Sequence, residues 1–172
     1  MAKGKSTNET KTATAKPMKL AEALLLRGDM QKKQAALRSR IENNAAVQEK
    51  DKPHEDPAKL MAEFNGLTED LAALIYRINI TNTRAMLADG RPLTRAIADR
   101  DAMIQRHAML TTAAGAANKQ PERYSLTEIK WVSTMNVASL HKQADDLAGR
   151  IRALNAAIQE TNWQVELEKD DV

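Results

Sequence analysis

Residues Val137, Leu140, Ala144, Leu147, Ile151, Leu154 and Ile158 recur at alternating three- and four-residue steps. At 3.6 residues per turn these positions gather into one narrow apolar stripe, and a stripe this long has to lie along other helices to leave water. The same rhythm runs through Leu60, Phe64, Leu67, Leu71, Leu74 and Ile78. Aromatic residues make up only 3% of the 172 positions, so Ala, Leu and Ile must do the packing, which suits close helix–helix contact. Six glycines and five prolines give few turn signals and again favour long elements. The expected fold is mainly α: long antiparallel helices forming a bundle or coiled coil, with a minor short β element.

Charge divides the chain. Five lysines against one glutamate give residues 1–19 a net charge of +4 and leave the remaining 153 residues at −1. The pI of 9.2 therefore belongs to the tail, and a nucleic-acid groove in the folded part is not implied. The organisation read from this is a disordered basic tail over 1–17, a single helical domain over 18–167 and an acidic end over 168–172. Nucleic acid is expected to meet the protein only weakly, through that tail. Cysteine is absent, which removes disulfides, thiol chemistry and thiolate metal sites. No apolar run approaches the roughly 20 residues that span a bilayer, and residues 1–17 lack a signal-peptide apolar region. The expectation is a cytoplasmic protein with no membrane partner.

Along the chain, a first helix is expected from about Met18 to Asn44, with Gln34 on its apolar face either fixing register or reaching solvent at the seam edge. Residues 45–57 form a charged loop with two prolines, and a second helix starts after Pro57 and runs to about Asn79. Asp89-Gly90 is a tight turn that could join Arg84–Leu87 and Arg91–Leu93 into a small ribbon. Thr94 is the expected N-cap of a third helix that ends near Ala117. Tyr124–Thr134 reads as extended. Asn136 caps a fourth helix that ends near Thr161, and the alternation of Trp163, Val165 and Leu167 reads as a short strand able to pair with the Ile129 segment.

Several segments are distinctive: Lys19–Arg27, Arg77–Asn82, Asp89–Thr94, Arg123–Lys130 and Asn162-Trp163. Together they resemble a family of small bacterial proteins that carry the label septicolysin, over roughly residues 18–167. The resemblance implies a helical, homo-oligomeric protein without an established chemistry, and the label itself implies a cytolysin. The chain departs from the family pattern at Leu126 and Thr127, where a basic side chain is expected.

No catalytic motif emerges, and no cofactor is expected. The leading expectation is a self-assembling homo-oligomer with a structural or ligand-binding role and no enzymatic activity. A candidate polar-ligand set is Asn79, Thr81, Asn82, Arg91, Arg123, Tyr124, Ser125, Glu128 and Lys130, all placed in segments read as non-helical. The same amides and hydroxyls can instead satisfy backbone groups at turns and helix ends. His141 and Asp145, one helical turn apart, are a candidate metal pair that needs ligands from elsewhere. His54-Glu55-Asp56 is a weaker set of adjacent ligands. Arg100 and His107, two turns apart on one face, have a spacing compatible with an RNA-directed hydrolase, in which His transfers a proton and Arg stabilises charge. The alternative for that pair is an ion pair of Arg100 with Asp101 and a His107 packed at the seam edge.

Overall fold

The computed structural model describes residues 17–118 and 132–169. These described residues contain four helices: α1 (Leu20–Asn44), α2 (Pro57–Arg84), α3 (Leu93–Ala117) and α4 (Val137–Gln164). Each start has a local cause. The Glu22 carboxylate accepts the Lys19 backbone N–H at 2.7 Å, which supplies an acceptor at the beginning of α1. Asp56 accepts from the Ala58 N–H at 2.9 Å, with Pro57 in the first turn of α2. Asn136 accepts from the Ser139 N–H at 3.0 Å and starts α4.

The mainly α, four-helix character matches the expectation, and several boundaries do not. Helix α2 continues past Asn79 to Arg84, and α4 continues past Thr161 to Gln164. The β-tolerant residues at both ends are absorbed by the helix. The hydroxyls of Thr81 and Thr161 donate back to the carbonyls of Arg77 and Ala157, at 2.8 and 2.9 Å, and both residues are buried, so packing overrides propensity. Helix α3 starts at Leu93 with Pro92, not Thr94, at the N-cap. No strand forms among the described residues. The expected ribbon around Gly90 reduces to one bridge between Met86 and Pro92. The expected terminal strand reduces to another, between Glu166 and Lys19, while Trp163 lies inside α4. The proposed pairing with Ile129 and most of the extended Tyr124–Thr134 segment lie outside the described residues, as do residues 1–16 of the expected tail and residues 170–172.

The α1–α2 pair runs antiparallel. Lys33 meets Glu63 at 2.9 Å, Gln34 meets Thr68 at 2.9 Å, and Arg40 meets Glu55 near the connecting loop. Helices α3 and α4 form the second pair, and contacts between the two pairs are much sparser. A hub joins them, with a core of Leu20, Ala23, Leu74, Ile78, Leu93, Ala96, Leu154, Ile158 and Leu167.

The two pairs are repeats of one unit. The α2 seam from Leu60 to Ile78 maps onto the α4 seam from Leu140 to Ile158 by a shift of 80 residues. The same shift carries the caps Asp56 onto Asn136, the buried Thr81 onto Thr161, and Asn82 onto Asn162. A shift of 73 residues carries Leu20, Ala23, Arg27 and Met30 of α1 onto Leu93, Ala96, Arg100 and Met103 of α3. The backbone wiring of the hub repeats as well. Leu93 N–H donates to Ala85 C=O and Leu20 N–H to Val165 C=O, both at 2.9 Å; Leu87 N–H donates to Arg91 C=O and Leu167 N–H to Met18 C=O, both at 2.8 Å. The start of each repeat is thus hydrogen-bonded to the end of the other.

Candidate functional site

The first three distinctive segments, Lys19–Arg27, Arg77–Asn82 and Asp89–Thr94, gather at the hub, and Arg123–Lys130 lies outside the described residues. Lys19, from the first, binds the Gln164 carbonyl at 3.0 Å and the Glu166 carboxylate at 3.2 Å. Arg77, from the second, donates from Nε to the Glu168 carbonyl at 2.8 Å. Thr81 Oγ1 accepts the Glu168 backbone N–H at 3.0 Å, and Arg84 pairs with the Glu168 carboxylate at 2.9 Å. The third segment makes the turn. Gly90 sits at φ +79°, where a Cβ would be strained, and its N–H donates to Leu87 C=O at 2.9 Å. Asp89 accepts both the backbone N–H and the guanidinium of Arg91. Those bonds hold the Asp89 carboxyl below its ordinary range and raise the Arg91 guanidinium above its own.

Of the expected polar-ligand set, the structure places Asn79, Thr81 and Asn82 on helix α2 rather than in a loop. Thr81 is 1% exposed and both its hydroxyl functions are used by backbone groups. Asn79 is exposed and Asn82 half-buried. Arg91 pairs with Asp89 and reaches Asp99 at 3.6 Å. Arg123, Tyr124, Ser125, Glu128 and Lys130 lie outside the described residues. His141 and Asp145 are both exposed on α4, and among the described residues no third His, Cys, Asp or Glu joins them. In the loop before α2, Glu55 is taken by Arg40, whose guanidinium holds its carboxyl below the ordinary range, and Asp56 is spent as the cap. Arg100 donates to Asp101 at 2.8 and 3.0 Å, while His107 is half-buried on α3.

The surface feature that sequence reasoning missed is an open groove along one side of the α3–α4 pair. Towards the hub it is lined by Met103, Arg150, Leu154 and Ala157. Further out it continues, about 500 Å³ in volume, between Arg106, Met109 and Leu110 on α3 and Gln143, Asp146 and Leu147 on α4. Met109 is 67% exposed, and Arg106, Asp146 and Arg150 have no ion-pair partner among the described residues. An apolar floor edged by unpaired charges of both signs is suited to another macromolecular surface. The identical spacing of the two seams was the signal available in the sequence: two equal helix pairs, each too thin to hide its own stripe.

Comparison with known proteins locates the chain among relatives. It resembles a solved structure, the crystal structure of a functionally unknown conserved protein from Corynebacterium diphtheriae, at 36% identity and a TM-score of 0.83, over 89% of this chain and 100% of that one. No curated protein matches. A family model described as a family of unknown function (DUF6847) matches residues 27–167, so the chain belongs to that family.

Proposed function

We propose that this is a self-assembling helical protein, a homo-oligomer without enzymatic activity, whose two arms complete their cores against other copies. The observation that carries the reading is the burial pattern. Each helix has a long run between two of its buried positions in which nothing is fully buried. No residue between Ala23 and Leu37 of α1, Leu60 and Leu71 of α2, Ala96 and Ala114 of α3, or Ala144 and Leu154 of α4 is fully buried. Yet the seam continues there through Met30, Phe64, Leu67, Met103, Leu110, Leu147 and Ile151, all half-buried. A two-helix layer cannot enclose its own stripe; a second layer can. The hub closes within one chain, and the arms await cover.

Protein is a better cover than lipid. The open stripes are edged by charges such as Arg106, Asp146 and Arg150, and no helix among the described residues is long and apolar enough to cross a membrane. The cytolysin role attached to the septicolysin label draws no support from this pattern. Light scattering on the full chain tests the reading: a mass of at least twice 19.1 kDa at micromolar concentration is expected, and a monomer at every concentration contradicts it.

A further inference from the structure

We propose that the α3–α4 groove of one copy is filled by the α1–α2 arm of a second copy, and that the contact is made twice about a two-fold axis. This rests on the self-assembly reading and adds which faces meet. The repeat supplies the shape argument. Met30 and Leu67 stand in α1–α2 where Met103 and Leu147 line the groove in α3–α4. Each arm therefore offers a half-buried stripe of the same length and spacing, as matched layers of a four-helix assembly require.

Charge selects between pairings. The shift of 80 residues carries Glu63 onto the neutral Gln143 and Asp70 onto Arg150, so the face loses a carboxylate at the first place and turns from acidic to basic at the second. Gly66 onto Asp146 is an exchange in the other direction. Within the subunit Glu63 is neutralised by Lys33 at 2.9 Å. Asp70 and Arg150 have no ion-pair partner among the described residues and occupy equivalent levels of their arms. At the level of residue 150, stacking α3–α4 on α3–α4 sets Arg150 against a second Arg150. Stacking unlike arms sets Asp70 of each copy against Arg150 of the other and leaves no like-charge contact at that level. The subunit's own α1–α2 arm is not the occupant, because contacts between the two arms are sparse.

Sedimentation velocity on the full chain with Asp70→Arg, Arg150→Asp and the double variant tests this. Each single change is expected to weaken assembly on the order of 100-fold, since it creates two like-charge contacts per dimer. The double variant, and an equimolar mixture of the two singles, should recover wild-type assembly. If wild type assembles and Asp70→Arg leaves it unchanged, this inference falls and the self-assembly reading stands. If wild type never assembles, both fall. A second measurement covers variants that fold poorly. The chain has no cysteine, so Ala73→Cys and Ala153→Cys, at equivalent positions facing each other in this arrangement, should form disulfide dimers only when mixed or combined. Dimers from Ala153→Cys alone would show α3–α4 on α3–α4, and dimers from Ala73→Cys alone would show α1–α2 on α1–α2; either single-variant cross-link overturns the proposal.

Discussion

The hydroxyl of Thr81 accepts the backbone N–H of Glu168 at 3.0 Å, across 87 residues of chain, while donating to the Arg77 carbonyl at 2.8 Å. This buried group fastens the segment after α4 onto α2 and so closes the ring of contacts at the hub. Its repeat equivalent, Thr161, makes the inward bond to Ala157 at 2.9 Å. Thr81→Val removes an acceptor from a part-buried N–H and is expected to cost about 1–3 kcal/mol. Thr161→Val should cost less. Urea unfolding of both variants checks the difference, and equal losses would mean that the bond to Glu168 contributes nothing.

The hub and the arms are predicted to respond differently to cavity mutations. Leu93 is fully buried in the hub, so Leu93→Ala should cost about 2–5 kcal/mol at any protein concentration. Leu147 is half-buried in the open part of the α4 seam. Leu147→Ala should cost little in dilute monomer and progressively more as the protein is concentrated. Thermal melts across a concentration series separate the two. A Leu147→Ala loss independent of concentration would place its packing inside one subunit.

Acid should loosen the two charged turns. The guanidinium of Arg40 holds the Glu55 carboxyl below its usual range, and that of Arg91 does the same for Asp89. A carboxylate with a depressed folded-state pKa adds stability above its unfolded pKa and loses it as pH falls through the folded value. Wild-type stability should therefore decline below about pH 4, and Glu55→Gln with Asp89→Asn should flatten that acid limb. Melting temperature against pH for both proteins provides the check; parallel curves would contradict it.

The caps of α2 and α4 are equivalent in the repeat, and so should be their energetics. Asp56→Ala and Asn136→Ala each remove one accepted N–H bond at a helix start, with an expected cost of about 1 kcal/mol. The two effects should add, because the caps lie in different arms. Denaturant titration of the singles and the double measures this.

Much of the fold was readable because periodicity is a local signal. The seams at 60–78 and 140–158 both form helices along their length, and the Asp89-Gly90 turn stands where that dipeptide suggests. The misreadings at the ends of α2 and α4 share one cause. Ile80, Thr81 and Thr83, and the alternation at Trp163, Val165 and Leu167, carry β-type local preferences, and contacts formed only at the hub decide between helix and strand there. That error also displaced the polar set. Asn79, Thr81 and Asn82 became helix residues, and Thr81 turned out to satisfy the backbone. The groove on α3–α4 was beyond local reading, since it depends on which side of each stripe its neighbour leaves open.

Amide hydrogen exchange at the middle of α4, Leu147 to Ile151, tests the central claim most directly, because the hub does not shelter those residues. Protection there is predicted to rise with protein concentration, from near that of an open helix in dilute solution towards that of the hub when copies assemble. Protection at Leu147–Ile151 that stays the same from about 1 μM to about 500 μM would contradict the account.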